Sequence, residues 1–318
     1  MRDFKRCRIV TPTGPARTEL YRMLGEVFPP DRALFASLIE SGRPYATWTP
    51  YTLYDGEEIL GNVALMPLHV WLGGRPVEVV GVASVATAPR YRRLGIARYL
   101  LQHCLTLVDR DRLPAVLFTG QPEVYDRHGF VRIAQRYTEC RLDEWPFQNR
   151  NQEETWLDRP SAEQWEVLGS IYVNEYPDYD GKLLRDARYR PLYQTLFRLN
   201  PHWRIVACGT GDHWVGYARC EAEPGRLLVS EFCCRPEREE IAQALLGAIG
   251  AEAGRLERTI VSWALPTGHF LDRLLQSRGV AQVAEGTGAA REVFMVRRAA
   301  GEPLGPLAQF SWSLADKF

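Results

Sequence analysis

The chain has 318 residues, and its 39 lysine and arginine residues balance its 39 aspartate and glutamate residues. This length accommodates two domains of ordinary size, and the balanced charge favours neither nucleic acid nor an anionic membrane as a partner. The seven cysteines include no Cys-x-x-Cys pair, the six histidines lack metal-ligand spacing, and no long apolar run occurs. We therefore expect a cytoplasmic protein with reduced thiols, no metal and no membrane segment.

The first part of the chain is predicted to form short strands and helices. Apolar and charged residues alternate at the start, which predicts a strand, and helical periodicity follows. A loop then leads to two strands joined by a tight turn at Asp55-Gly56-Glu57. In order, these elements are predicted at residues 4–11 (strand), 15–27 and 30–40 (helices), 43–50 (loop), and 51–54 and 59–72 (strands).

A strand, a tight loop and a helix follow in direct succession. Val79 to Thr87 is a run of β-branched and small residues, typical of a strand that is buried on both faces. Ala88-Pro89 ends this strand, because proline cannot donate to a ladder. The helix that follows has apolar residues at spacings of three and four: Leu94, Ala97, Leu100, Leu101, Cys104, Leu105 and Val108.

The start of this helix has the composition of an anion-binding site. Its unpaired backbone N–H groups and the positive end of the helix dipole suit a pyrophosphate. Gly95 and Ala97 have no bulky side chain that would keep a phosphate from the backbone, and Arg92 and Arg93 add positive charge. An ordinary exposed helix start is the alternative interpretation.

Two motifs in this region carry a family resemblance. The loop at residues 92–97 reads Arg-Arg-Leu-Gly-Ile-Ala, and after a predicted strand at residues 115–119 the chain reads Tyr125-Asp126-Arg127-His128-Gly129-Phe130. The pair resembles the acyl-CoA loop, Gln/Arg-x-x-Gly-x-Gly/Ala, and the Tyr-x-x-x-Gly-Phe/Tyr turn of the GNAT acyltransferase superfamily. With residues 73–77, Gly-Gly-Arg-Pro-Val, the region is similar to enhanced-intracellular-survival type aminoglycoside N-acetyltransferases and their tandem-GNAT relatives.

The resemblance implies acetyl-CoA as co-substrate and places its binding residues. The strand backbone would pair with the amide chain of pantetheine, and the Val85 N–H would polarise the thioester carbonyl. A plain core strand is the alternative for the side chains. The implied cofactor-binding residues are Val85, Ala86, Thr87, Arg92, Arg93, Leu94, Gly95, Ile96 and Ala97.

The resemblance also implies two catalytic groups. Tyr125 would be the general acid that protonates the departing sulfur; a tyrosine packed under the Gly129-Phe130 turn is the alternative. The terminal carboxylate of Phe318 would orient the amine and accept its proton, or else the aromatic tail merely docks the two domains. Lesser candidates are His128, Glu26 and Asp31.

The second half repeats the order of elements without the binding chemistry. Aligning Arg235-Pro236 with Ala88-Pro89 places Glu239 where Arg92 stands and Ala242 where Gly95 stands. Carboxylates at a helix start repel phosphate, so we expect this half to be silent. Helices are predicted at residues 161–175, 184–199, 237–254 and 268–277, and strands at residues 203–208, 213–220, 227–234 and 259–265.

The predicted fold is α/β, with two tandem GNAT-like domains, each a mixed, mostly antiparallel twisted sheet flanked by helices. The predicted boundaries are 1–143 for the catalytic domain, 144–160 for a polar linker, 161–300 for the degenerate domain and 301–318 for a tail. Residues 131–133 and 137–142 would be the closing strands of the first sheet. The tail leaves no room for the sterol-carrier-like domain of the survival-type enzymes.

Together these features predict transfer of acetyl from acetyl-CoA to a primary amine of an aminoglycoside, amino sugar or other small amine metabolite, by direct attack in a ternary complex. Transfer of a longer acyl group, or to oxygen, is one alternative. A non-catalytic acyl-CoA-binding sensor or scaffold is another. The resemblance leaves a homo-oligomer open.

Overall fold

We describe the fold from a computed structural model, in which the described residues are 4, 6–41, 48–133, 138–148, 154–175, 179–185, 187, 189–210, 213–263, 269–280 and 293–299. The α-helices within them are α1 (Gly14–Val27), α2 (Arg32–Ser41), α3 (Ile96–Arg110), α4 (Glu123–Asp126), α5 (Ala162–Asn174), α6 (Arg190–Leu199), α7 (Glu239–Arg255) and α8 (Phe270–Ser277). The strands are β1 (Arg8–Val10), β2 (Thr49–Asp55), β3 (Glu58–Leu72), β4 (Arg75–Thr87), β5 (Ala115–Thr119), β6 (Val131–Ile133), β7 (Thr138–Arg141), β8 (Glu154–Leu157), β9 (Trp203–Thr210), β10 (His213–Glu223), β11 (Arg226–Cys233), β12 (Ile260–Trp263) and β13 (Val293–Arg297).

The strands form two mixed sheets, as the sequence predicts. The first has the order β1-β2-β3-β4-β5-β13-β6, and the second has the order β7-β12-β11-β10-β9-β8. In each sheet one central pair is parallel, β4 with β5 and β11 with β12, and the other pairs are antiparallel. The predicted α/β class with two sheets flanked by helices is confirmed.

The two halves exchange a strand, which the sequence interpretation missed. β7 was predicted to close the first sheet, but it pairs with β12 of the second, with Cys140 opposite Val261. In return β13, from the end of the chain, lies between β5 and β6 of the first sheet. An alternating pattern indicates which face of a strand is buried and does not identify the neighbouring strand. The prediction that residues 137–142 form a closing strand of the first sheet is therefore wrong.

The helix α3 packs on one face of the first sheet. Its buried residues are Ile96, Leu100, Leu101, Cys104, Leu105 and Val108. The predicted apolar stripe is correct from Leu100 onwards and wrong at its start: Leu94 is 38% exposed, because the helix begins only at Ile96, which is buried.

The second half packs on the face of this sheet opposite to α3, and one of its segments also runs along β3. Side chains of α6, including Leu192 and Tyr193, share a core cluster with Met66 and Val70 of β3. Residues 181–184 run along β3, where the Trp71 amide donates to the Lys182 carbonyl at 2.8 Å, although a helix was predicted to begin at Leu184. The helix begins only at residue 190. Packing against β3 thus overrides the local helical pattern there.

A buried ion pair lies within the second half, next to the segment that runs along β3. The Arg185 guanidinium lies 3.8 Å from the ring centroid of Tyr172 and 4.2 Å from that of Tyr193, and it pairs with the fully buried carboxylate of Glu231. Tyr217 donates a hydrogen bond to the same carboxylate. The attraction between these charges offsets the cost of burying them, so the cluster fixes Arg185 directly after the segment that runs along β3.

None of the helices in the described ranges is long and apolar enough to cross a bilayer.

Candidate active site

The first sheet opens at its centre. β4 pairs with β5 at only two positions, Val80 with Ala115 and Gly81 with Val116. β4 then continues to residue 87, and among the described residues no strand pairs with this edge beyond Gly81. Four of its residues there are only half-buried, although the strand is central: Ala83, Ser84, Val85 and Thr87. Unpaired backbone at a central position can pair with an amide chain such as pantetheine.

A β-bulge lies at the same place. Ser84 and Val85 of β4 stand opposite the single residue Val63 of β3. Ser84 has a φ of 47°, an uncommon value for a residue with a side chain. Bulges take the backbone out of the regular ladder and are enriched beside active sites. The predicted oxyanion donor, the Val85 amide, therefore belongs to the irregular part of the strand.

Asn62 holds the bulge in place. Its side chain is fully buried; its Nδ2 donates to the Ser84 carbonyl at 3.1 Å, and its Oδ1 accepts from the Thr52 hydroxyl at 2.9 Å. A buried side-chain amide with both groups satisfied fixes its partners. Sequence reasoning did not single out Asn62. The available signal was a lone asparagine inside an otherwise apolar strand.

The loop after β4 presents an open helix start. Residues 89–91 form a 3-10 turn, Arg93 and Gly95 have φ values of 66° and 85°, and no side chain of the described residues caps α3. The first amides of a helix have no intrahelical acceptor, so they are available to an anion. A Cβ built on Gly95 would meet nothing within 4 Å. The backbone at Gly95 is thus open on the side where a side chain would lie.

The arginines of this loop differ in their contacts. Arg90 forms an ion pair with Glu58 at 2.7 Å, and Tyr91 donates to the same carboxylate. Within the described part of the chain, Arg92 and Arg93 take part in no ion pair, and both are exposed. These two are the cations that the sequence analysis assigned to the phosphate.

Tyr125 lies on the short helix α4 that follows β5. α4 carries it on a single helical turn, its side chain is 8% exposed, and its ring meets that of Phe130 edge-on at 5.9 Å. It shares one hydrophobic cluster with Ile96 and with Val85. The predicted acid, the first residue of α3 and the bulged strand therefore all border one hydrophobic core. The packed-tyrosine alternative is also correct as geometry, since Tyr125 does pack under the turn.

The remaining candidates are less well placed. Burial lowers the pKa of His128, and three neighbouring arginines lower it further, so its imidazole is neutral at pH 7. Glu26 and Asp31 are exposed, near the end of α1 and in the turn that follows. Phe318 lies outside the described residues.

The corresponding region of the second half differs in its loop. α7 begins at Glu239, only three residues after Pro236, whereas α3 begins seven residues after Pro89. Glu239 and Glu240 occupy the first turn of α7. The shorter loop therefore has no counterpart of the positive-φ pair, and its helix start carries negative charge.

The second sheet also has its central strand covered. All residues of β11 are buried, and the rings of His269 and Phe270 lie 6.4 and 6.1 Å from that of Phe232. Burial lowers the pKa of His269 to about 3, although a backbone contact with Phe232 opposes the shift. Side chains thus occupy the surroundings of β11, where β4 has open backbone.

Comparison with known proteins agrees with this geometry. A family model for an acetyltransferase (GNAT) domain matches residues 18–133. The uncharacterized N-acetyltransferase YhbS of Escherichia coli K12 is 34% identical over 92 residues, which are 29% of this chain and 52% of YhbS. The chain therefore spans about half the length of the curated relatives it matches.

Two solved structures have a similar fold over nearly the whole chain. Eis1 from Mycobacterium abscessus aligns with a TM-score of 0.61 at 16% identity, covering 92% of this chain and 73% of Eis1. A tandem GNAT protein from the clavulanic acid biosynthesis pathway aligns with a TM-score of 0.50 at 15% identity, covering 93% of this chain and all of that one. At this identity the likeness concerns the fold. Residues 18–133 therefore match the model of a GNAT acetyltransferase domain, and the chain has a fold similar to that of a tandem GNAT protein.

Proposed function

We propose that this chain is an acyl-CoA-dependent N-acyltransferase that moves acetyl from acetyl-CoA to a primary amine. The observation that carries the proposal is the open edge of β4, which is followed in the chain by the start of α3 and borders a core cluster that contains Tyr125. In this arrangement the backbone of Val85, Ala86 and Thr87 pairs with pantetheine, and the loop at residues 92–97 binds the pyrophosphate.

The proposed reaction is a direct transfer in a ternary complex. Acetyl-CoA supplies the acetyl group as a thioester. The Val85 amide stabilises negative charge on the thioester oxygen, while the amine forms the new C–N bond and the C–S bond breaks. Tyr125 donates its proton to the sulfur. The attacking amine gives its proton to a base, for which we propose the terminal carboxylate of Phe318.

The second half has a supporting role in this proposal. Its loop at residues 235–240 is short and acidic, and its central strand β11 is covered by side chains. We therefore assign one acyl-CoA site to each chain, in the first half. The second half contributes packing on the first sheet and a wall of the acceptor pocket.

The acceptor that we propose is an amine of an aminoglycoside, an amino sugar or another small amine metabolite. The resemblance to survival-type enzymes supports this class. A longer acyl group, or an oxygen acceptor, would use the same crevice. A non-catalytic acyl-CoA sensor would need the phosphate loop but not a buried phenol beside the crevice, so Tyr125 favours the enzyme. We further propose that the protein is cytoplasmic and free of metal.

The test is release of free thiol from acetyl-CoA in the presence of a mixed amine panel, with mass-spectrometric detection of acetylated products. Replacing Tyr125 by Phe should lower kcat about 100- to 10,000-fold, the usual range for a general acid. The control is Tyr99→Phe, because Tyr99 is an exposed phenol on the neighbouring helix α3. Turnover by Tyr125→Phe within about threefold of the parent would refute the acid, and tight acetyl-CoA binding without any product would indicate the sensor.

A further inference from the structure

The exchanged strand β13 brings an arginine to the turn that carries Tyr125. Arg297, its last residue, donates from Nε to the carbonyl oxygen of His128 at 2.9 Å. Its Nη1 and Nη2 donate to the two carboxylate oxygens of Asp109 on α3, at 2.7 and 2.8 Å. The Arg297 side chain is 16% exposed. One side chain from the end of the chain thus joins α3 to the turn after α4.

The turn needs external anchors because α4 is only four residues long. A single helical turn is not stable by itself. Both backbone polar groups of His128 are bonded: its N–H donates to the Tyr125 carbonyl at 2.8 Å, and its C=O accepts from Arg297. The path from Arg297 to the Tyr125 backbone therefore consists of two hydrogen bonds.

Among the described residues the turn also has two ion pairs at the surface, both with Arg132, whose guanidinium lies 3.6 Å from the Glu123 carboxylate. Arg132 donates to Asp126 at 2.6 Å, and the two side chains are 47% and 44% exposed. Exposed pairs contribute little to holding a conformation, since water competes for both partners. The less exposed Arg297 contact is the stronger anchor, and it comes from the other half of the chain.

We propose that Arg297 is a positioning residue for Tyr125, and this inference rests on the proposed function. Its planar guanidinium makes the Asp109 fork and the His128 bond at the same time, which a lysine ammonium at one point cannot reproduce. Through this contact the second half holds the general acid of the first. The first half is therefore incomplete as a catalyst without the end of the chain.

The test is a double-mutant cycle on the full-length protein. Arg297→Gln should lower kcat about ten- to a hundredfold, because small misplacement of a reacting group has effects of that size, with less effect on the KM for acetyl-CoA. In a Tyr125→Phe background the same substitution should have almost no further effect on kcat, because the group that it positions is gone. Arg297→Lys should recover part of the loss.

Two matched variants separate positioning from stability. Asp109→Asn removes the charge of the carboxylate but leaves the Nε bond to His128, so it should lower Tm as Arg297→Gln does and lower kcat less. Arg132→Gln breaks the surface pair on the same turn and should leave kcat nearly unchanged. Thermal unfolding measures the stability of each variant.

The outcomes are distinct. A loss from Arg297→Gln that persists in full in the Tyr125→Phe background would overturn the positioning role, even if Tyr125→Phe alone is nearly inactive. Equal kcat losses for Asp109→Asn and Arg297→Gln at equal Tm would overturn it as well. If Tyr125→Phe keeps the parent turnover, the proposed acid itself fails.

Discussion

A charge at Gly95 tests the phosphate loop in a way that separates electrostatics from shape. Gly95 has φ 85° and ψ 11°, in the left-handed region, and a Cβ placed there meets no neighbour within 4 Å. A side chain at this position therefore has room, and its structural cost is backbone strain of about 1–2 kcal/mol. Asparagine tolerates this conformation best among residues with side chains, and aspartate has nearly the same shape. Gly95→Asn and Gly95→Asp thus differ mainly by one negative charge.

The magnitude follows from Coulomb's law at this helix start. Two charges about 6 Å apart interact by about 0.7 kcal/mol at the dielectric constant of water and about 2.8 kcal/mol at an effective value of about 20. The pyrophosphate would lie against the exposed amides near Gly95, between these limits. We therefore expect Gly95→Asp to bind acetyl-CoA about 3- to 100-fold more weakly than Gly95→Asn.

Isothermal titration of each full-length variant with coenzyme A measures this difference directly. Steady-state kinetics should show the same ratio in the KM for acetyl-CoA, with the KM for the amine little changed. The ratio should shrink in high salt, because exposed charges are screened. Equal affinity of the aspartate and asparagine variants would refute the assignment of residues 92–97 to the phosphate.

Three further predictions concern other parts of the molecule. Gly61→Ala places a Cβ at 2.6 Å from the Ala86 carbonyl and 2.7 Å from Ile96 Cγ2, so it should cost about 1–3 kcal/mol of unfolding free energy and weaken coenzyme A binding; unchanged denaturant midpoint and affinity would contradict this. The pKa of His269 in the folded protein lies far below its value in the unfolded chain, so acid favours the unfolded chain. The free energy of unfolding is therefore highest above about pH 6.5 and is lower by about 2 kcal/mol at pH 5. Denaturant unfolding at pH 7 and at pH 5 should show that His269→Phe loses less unfolding free energy on acidification than the parent does. An identical loss in the two proteins would contradict a role for His269. Residues appended after Phe318 should lower kcat with Tm unchanged if its carboxylate is the base, and full turnover by the extended chain would remove it from the mechanism.

The sequence predicted the strands, loops and turns of the candidate site better than the side-chain contacts that hold them in place. The strand ending at Thr87, the loop at residues 92–97 and the turn at Tyr125 are local patterns, and local patterns determine local structure. The bulge at Ser84 depends instead on Asn62 and Thr52, which lie on neighbouring strands. No spacing along the chain reveals such a contact, because it forms only when three strands are aligned.

The exchange of β7 and β13 between the two sheets could not be predicted from the sequence for a different reason. β7 and β13 have ordinary strand patterns, and either could pair with several edges. Which edge they choose depends on the stability of the whole sheet, so the predicted closing strand at residues 137–142 was placed in the wrong sheet. The consequence is practical: a chain cut at the predicted boundary of residue 143 would lack β13, the strand that pairs with both β5 and β6. Tests of the two halves are therefore best made on the intact chain.

Hydrogen exchange with mass spectrometry on the full-length protein, with and without coenzyme A, tests the central claim most directly. Binding in the β4 crevice should slow exchange in peptides that span residues 82–97, because those amides would gain acceptors, and should leave residues 230–242 unchanged. Protection confined to residues 230–242, with none at 82–97, would contradict the assignment of the acyl-CoA site to the first half.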